Sequence, residues 1–152
     1  MRDKNGVEIR TGDVVRVSGA FFKNDNGLYF VDHSPGEAGW LGSDYSLHRV
    51  CRNGRIATGK NRIAFWPLSA FTNDRAKNAE ARAWNAEHAE IEIVPFKKTD
   101  EIRAHFEDEA RNIGEAIRHY VDWCGWDENG SSIAGYKASK AAREAAAARL
   151  AA

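Results

Sequence analysis

Between Tyr45 and Asn73 the chain has no acidic residue, while Arg49, Arg52, Arg55, Lys60 and Arg62 are basic and His48 lies among them. Cationic groups at this density attract phosphate or carboxylate. Tyr45, Phe65 and Trp66 add ring faces, and basic residues beside aromatics are the ingredients of a nucleotide or single-strand platform. If Asn53-Gly54 makes a two-residue turn, Arg52 and Arg55 face each other across a hairpin, a like-charge pairing that an anion would relieve. His48, Arg49, Arg52, Arg55, Lys60, Arg62, Tyr45 and Trp66 are therefore the expected anion- or partner-binding set. A second assignment is internal, with Glu107, Asp108 and Glu115 of an acid-rich helix neutralising the same arginines, while Glu101, Glu107, Asp108 and Glu115 together are the expected acidic interaction face.

Four other constellations stand beside this one. Glu101, His105 and Glu109 are spaced i, i+4, i+8, and Glu115 with His119 repeats the step; carboxylate and imidazole one turn apart can share a metal. No second helix offers matching ligands, so the expectation is a solvated polar face and no metal or other cofactor. Asp32-His33-Ser34 contains hydrolase residue types, but adjacent residues rarely converge on one substrate atom. Cys51 and Cys124 read as small buried residues, with neither a disulfide framework nor a zinc pattern. With no phosphate loop or dinucleotide fingerprint, the chain is expected not to be an enzyme. Trp123, Trp126 and Tyr136 read as a small core locking two helices, or else as an exposed aromatic site for a protein partner.

These side chains need elements to hold them. Val7-Glu8-Ile9, Val14-Val15-Arg16-Val17 and residues 28–31 read as strands, and the breaker-rich segment 33–39 as a loop. Residues 47–58 read as a hairpin with a type I′ turn at Asn53-Gly54, and residues 63–66 as a further strand stopped by Pro67. A helix is expected over 73–89, with Ala76, Ala79, Ala83 and Ala86 as a small-residue stripe and Trp84 as its anchor. Glu90-Ile91-Glu92-Ile93-Val94 alternates like a half-buried strand. An acidic helix is expected over 100–122, with the stripe Ile102, Phe106, Ala110, Ile113, Ile117, Tyr120 and Val121. A polar turn over 127–132 should follow it, and then an alanine-rich helix over 137–151 with thin packing and frayed or partner-dependent order.

The opening Gly12-Asp13-Val14-Val15-Arg16-Val17-Ser18-Gly19, followed by Phe21, Phe22, the turn at 23–27 and Leu28-Tyr29-Phe30-Val31-Asp32, resembles a KOW-type element. That hairpin begins many small SH3-like barrels in ribosome- and transcription-associated proteins. The resemblance covers residues 12–32 and implies a fold more than a function. The expected class is α+β: a strongly bent SH3-like barrel over residues 1–96 with the helix 73–89 inserted before its last strand, and a helical extension over 97–152. The chain also looks like an accessory protein of a phage or other mobile element.

Of 152 residues, 22 are Lys or Arg and 22 are Asp or Glu. The balance disfavours a surface that is all polyanion trap, and the distribution is uneven: residues 99–128 hold nine acids against three arginines. The acid-rich helix tilts the expected function towards a non-enzymatic inhibitor or adaptor that binds a protein, such as a counter-defence factor of the anti-CRISPR kind. The alternative is a nucleic-acid or phosphorylated-ligand module using the basic face 48–62. No apolar run reaches the roughly 20 residues that span a bilayer, and residues 1–6 lack a signal peptide's apolar core, so no membrane partner and a cytoplasmic location are expected.

Overall fold

Val14, Val15 and Val17 are β-branched residues flanked by Gly12 and Gly19, and they form an interior strand of the sheet, next to one edge. The computed structural model describes residues 1–33, 45–57, 62–63 and 75–151. Within them the elements are β1 (Val14–Ser18), β2 (Gly27–His33), β3 (Tyr45–Arg49), β4 (Arg62–Ile63), α1 (Arg75–His88), β5 (Glu90–Ile93), α2 (Asp100–Arg118) and α3 (Ser131–Ala151). A short 3-10 turn, Lys23–Asp25, lies before β2, and α2 continues as a π turn, His119–Trp123. The fold is α+β.

The five strands lie in the order β4-β3-β2-β1-β5 with every neighbour antiparallel. The sheet is open: among the described residues, β4 and β5 at its two edges do not pair with each other, so the expected barrel closure is absent. Val7-Glu8-Ile9 is not a full strand and contributes a single bridge, Arg2 to Glu8. The N-terminal segment instead lies against the β5 edge. Lys4 N donates to Ile91 O (2.8 Å), and the Asp3 carboxylate accepts from the backbone N–H groups of Asn5, Val7 and Ile93. An exposed strand edge is thereby covered.

Alternation along the strands gives the sheet two apolar faces. Val15, Val17, Tyr29, Val31, Leu47 and Ile91 form one core with Ile9 and Ala20. Val14, Phe30 and Val50 form the other with Ile102, Phe106, Ala146 and Ala147 from the two long helices. The second cluster joins residues from both sides of position 96.

The helices differ from expectation in instructive ways. On α1 the alanine stripe faces solvent; Ala81 and Asn85 are buried instead. Asn85 Oδ1 accepts from Phe21 N at 2.9 Å, and the half-exposed Trp84 donates its indole N–H to Gly19 O at 3.0 Å. Gly19 has φ of 69°, and a Cβ there would stand 2.6 Å from His88 O, so the close approach of α1 depends on that glycine. The alanine-rich helix begins at Ser131, six residues earlier than expected, within the span read as a polar turn. It packs along α2, burying Ile133, Ser139, Arg143, Ala146 and Ala147, so its order has a tertiary cause. Thr99 makes no side-chain cap to α2; its hydroxyl donates to Leu150 O (3.2 Å) and ties the end of α3 to the start of α2.

The turn after β3 is also different. Gly54 N donates to Cys51 O and Cys51 N to Arg55 O, while Gly54 alone in the turn has positive φ, at 88°. This is a three-residue connection with a glycine bulge, not the two-residue type I′ turn, because Asn53 stays out of the left-handed region. The backbone of Lys98 lies against Gly54 where a Cβ would be.

Candidate functional site

The turn geometry separates the expected arginine pair. Cys51 and Arg55, not Arg52 and Arg55, are the partners that close the connection, so the like-charge opposition does not form. Arg52 and Arg55 are exposed. Arg49 is engaged locally: it lies opposite Tyr29 in the β2–β3 register, with its guanidinium 4.7 Å from the Tyr29 ring centroid. It donates to Asn26 O at 3.1 Å and also to Asn24 O and Tyr29 Oη. Burial pushes the Tyr29 phenol up to about 12, so it keeps its proton, which it donates to Asp25 O at 2.7 Å.

Arg49 and Arg52 nevertheless meet at one place. With Arg16 from β1 they line a depression of about 500 Å³ whose floor includes Leu28 and Val50, and no acidic residue lines it. The nearest carboxylate in the register, Glu92 opposite Arg16, is held by Lys4 at 3.4 Å. Arg16 was not singled out by sequence, because it stands alone in a valine run; only the β1–β2–β3 pairing brings it beside the basic turn.

The other expected basic-face residues are distributed. Tyr45 Oη accepts from the N-terminal amino group at 2.8 Å, and its ring stacks on His33 with centroids 3.9 Å apart. Arg62 lies opposite His48 in the β3–β4 register. Lys60, Phe65 and Trp66 lie outside the described residues. Among the acids, Glu101 reaches the basic turn by a neutral route, accepting from Ile56 N at 2.9 Å. Glu107 pairs with Arg103 (3.7 Å) and Asp108 with Arg111 (2.8 Å) on their own helix, and Glu115 is exposed. The acids of α2 are thus interleaved with arginines of α2.

His48 does not belong to the basic surface at all. It stacks on Phe30 with centroids 4.8 Å apart, on the sheet face covered by α2, and its ring centroid is 5.2 Å from that of His105. The expected solvated face of α2 is corrected here, since His105 and Glu109 are half-buried and point into the molecule. His105 Nε2 is 3.0 Å from Glu109 Oε1 and 3.9 Å from Asp32 Oδ2. Arg143 of α3, 7% exposed, brings Nη2 to 3.2 Å from Asp32 Oδ1 and Nε to 2.8 Å from Glu109 Oε2. It also donates to Ser139.

This is a buried polar cluster with offsetting charges. Burial alone would lower the His105 imidazolium, but the adjacent Asp32 and Glu109 carboxylates outweigh that and raise it to about 9. Burial alone would raise the Glu109 carboxyl, but His105, Asp32 and Arg143 together hold it well below the usual carboxylate range. Two atoms fit imperfectly: Asp32 Oδ1 and His105 Nε2 are buried and meet no partner at hydrogen-bonding angles, although ions lie close to both. In the sequence Asp32 stands beside His33 and Arg143 is one charge among alanines, so neither is conspicuous. The signal was the phase of each helix: positions 105 and 109 share the 3/4 pattern of Ile102, Phe106 and Ala110, and 143 lies between 139 and 146 on the buried side of α3.

Both cysteines are exposed, against expectation. The aromatic group divides: Trp126 stacks on Tyr120 and Tyr120 on Tyr136, linking α2 to α3, while Trp123 is 84% exposed. No helix among the described residues is long and apolar enough to cross a membrane. No family model, curated protein or solved structure matches the chain.

Proposed function

We propose that this chain is a non-enzymatic binding protein of the inhibitor or adaptor kind, and that the depression between Arg16, Arg49 and Arg52 receives an acidic segment of a protein partner. The observation that carries this reading is one depression lined by three arginines, from two strands and a turn, together with Leu28 and Val50 and with no carboxylate in the lining. Arginine forks suit carboxylates, and Leu28 with Val50 gives an acidic peptide apolar area that a phosphate backbone would not use. The acidic helix supports the reading less, because Arg103 and Arg111 interrupt its charge. A nucleic-acid partner is less favoured, since no aromatic side chain lines the depression for bases to stack on. The finer fold assignment, an SH3-like barrel, draws support from β5 returning to the outer edge of β1, the step that begins to curl a meander towards closure.

The test is a titration of the full chain with a fluorescent glutamate-rich peptide and, separately, with a single-stranded oligonucleotide at two salt concentrations. Arg16→Glu with Arg52→Glu should weaken peptide binding at least about tenfold while leaving the melting temperature nearly unchanged, since both side chains are exposed. Arg49 is left intact because it holds the loop before β2. Tighter binding to the oligonucleotide with a steep salt slope would replace the protein partner by nucleic acid. Peptide binding indifferent to the double substitution would remove the depression from the function.

A further inference from the structure

Three donors converge where the sheet meets α2. Asp32 comes from β2, His48 from β3 and His105 from α2, and one ligand atom from each lies within 4.8 Å of the others. Two imidazoles and a carboxylate make the donor set that first-row transition ions take most readily, and such ions hold each donor about 2.0–2.2 Å away. Donors around one tetrahedral ion stand roughly 3.4 Å apart, so the 3.9 Å between Asp32 Oδ2 and His105 Nε2 is already close to a ligand–ligand distance. From these placements we propose that Asp32, His48 and His105 bind a divalent transition-metal ion of the zinc class, pinning β2 and β3 to α2.

The surroundings are those a metal site needs. Arg143 engages Asp32 Oδ1, which leaves Oδ2 turned towards His105. Phe30 fixes the His48 ring by stacking and meets His105 edge-on, with centroids 5.0 Å apart. Groups that orient ligands in this way are as much part of a metal site as the ligands themselves. The buried Asp32 Oδ1 and His105 Nε2, close to charges but without aligned hydrogen bonds, indicate that the metal-free cluster is not its best-satisfied arrangement. Access is available from the helix side, where His105 and Glu109 keep 23% and 29% of their side chains exposed. An arriving ion displaces the proton from the His105 nitrogen it takes, and the proton leaves to water. Glu109 then remains with Arg143 at 2.8 Å, so its charge stays paired.

The experiment is to strip the full chain with a chelator and titrate it with Zn(II) by calorimetry and with Co(II) by visible absorption. One ion per chain, at micromolar affinity or tighter, is expected, with cobalt bands of a low-coordinate nitrogen/oxygen site. His48→Ala and Asp32→Asn should each lose at least about tenfold in affinity. His119→Ala and Cys124→Ser should keep it, although His119 Nε2 and Cys124 Sγ lie 3.7 Å apart on the exposed π turn. In case a variant fails to fold, the unmodified chain supplies an independent reading: Zn(II) should shift the imidazole NMR signals of His48 and His105 and leave those of His88 and His119 in place. Absence of binding at 100-fold excess over the chain, or binding that follows His119 and Cys124 instead, would overturn the proposal.

Discussion

Asp3 illustrates how much one short side chain can organise. Its carboxylate accepts three backbone N–H groups, two in its own turn and one on β5, and those bonds lower its pKa, the bond from Ile93 most of all. A carboxyl whose folded pKa is depressed adds stability that is present above its unfolded value of 3.8 and is lost as the pH falls through the lower folded value. Asp3→Asn should therefore melt below the wild type at pH 7, with the gap closing as the pH drops under 3.8; thermal melts across pH 2.5–7 read it directly, and a gap independent of pH would assign the loss to shape alone. Nothing about Asp3 stands out in Met1-Arg2-Asp3-Lys4-Asn5, because its partner at Ile93 is ninety residues away. His105 and Glu109 are the opposite case. Their spacing is plain in the sequence; their polar type points to solvent, but their position within the apolar stripe turns them inward.

At the scale of elements, local chemistry wrote most of what formed. β1, β2, β5 and α2 follow from β-branched runs, alternation and an apolar stripe, and they are found within a few residues of where those patterns put them. What failed was the reading of alanine. On α1 its 3/4 spacing predicts a packing face, whereas Asn85 and Ala81 face inward; on α3 its abundance predicts weak packing, whereas small residues let the helix lie close to Val14 and Phe30. Alanine is compatible with both faces, so its pattern alone carries no sign. The load on α2 falls on its first two turns, where Ile102 and Phe106 are fully buried. Phe106→Ala should cost about 3–5 kcal/mol, while Trp123→Ala, on a side chain open to water, should stay within about 0.5 kcal/mol. Urea unfolding of the two variants checks the contrast, and equal losses would mean that the π turn packs more than its exposure indicates.

For the whole molecule, the sheet has apolar groups on both faces and helices α2 and α3 supply the cover for one of them. A chain ending at Pro95 would present Val14, Phe30 and Val50 to water along with the unpaired Asp32 carboxylate. It should be less stable and self-associate, which light scattering at increasing concentration would reveal; a monomeric fragment as stable as the full chain would make the helices an independent appendage. The strand order also governs how this fold is reached. β1 is laid down early, yet its outer edge waits for β5, with Val15 meeting Ile93, and the carbonyl of Thr11 waits for Arg149, 138 positions later. Pairings of such long sequence separation must close large loops before any contact rewards the lost chain entropy. The β1–β2 hairpin and the α2–α3 hairpin can each assemble from neighbours in sequence, but β1 keeps an unpaired edge until β5 is made, and the sheet face carrying Val14 and Phe30 stays partly bare until the last helix docks. During synthesis that places the period of greatest aggregation risk after nearly the whole chain has been made, and a chaperone that shelters β1 would act then.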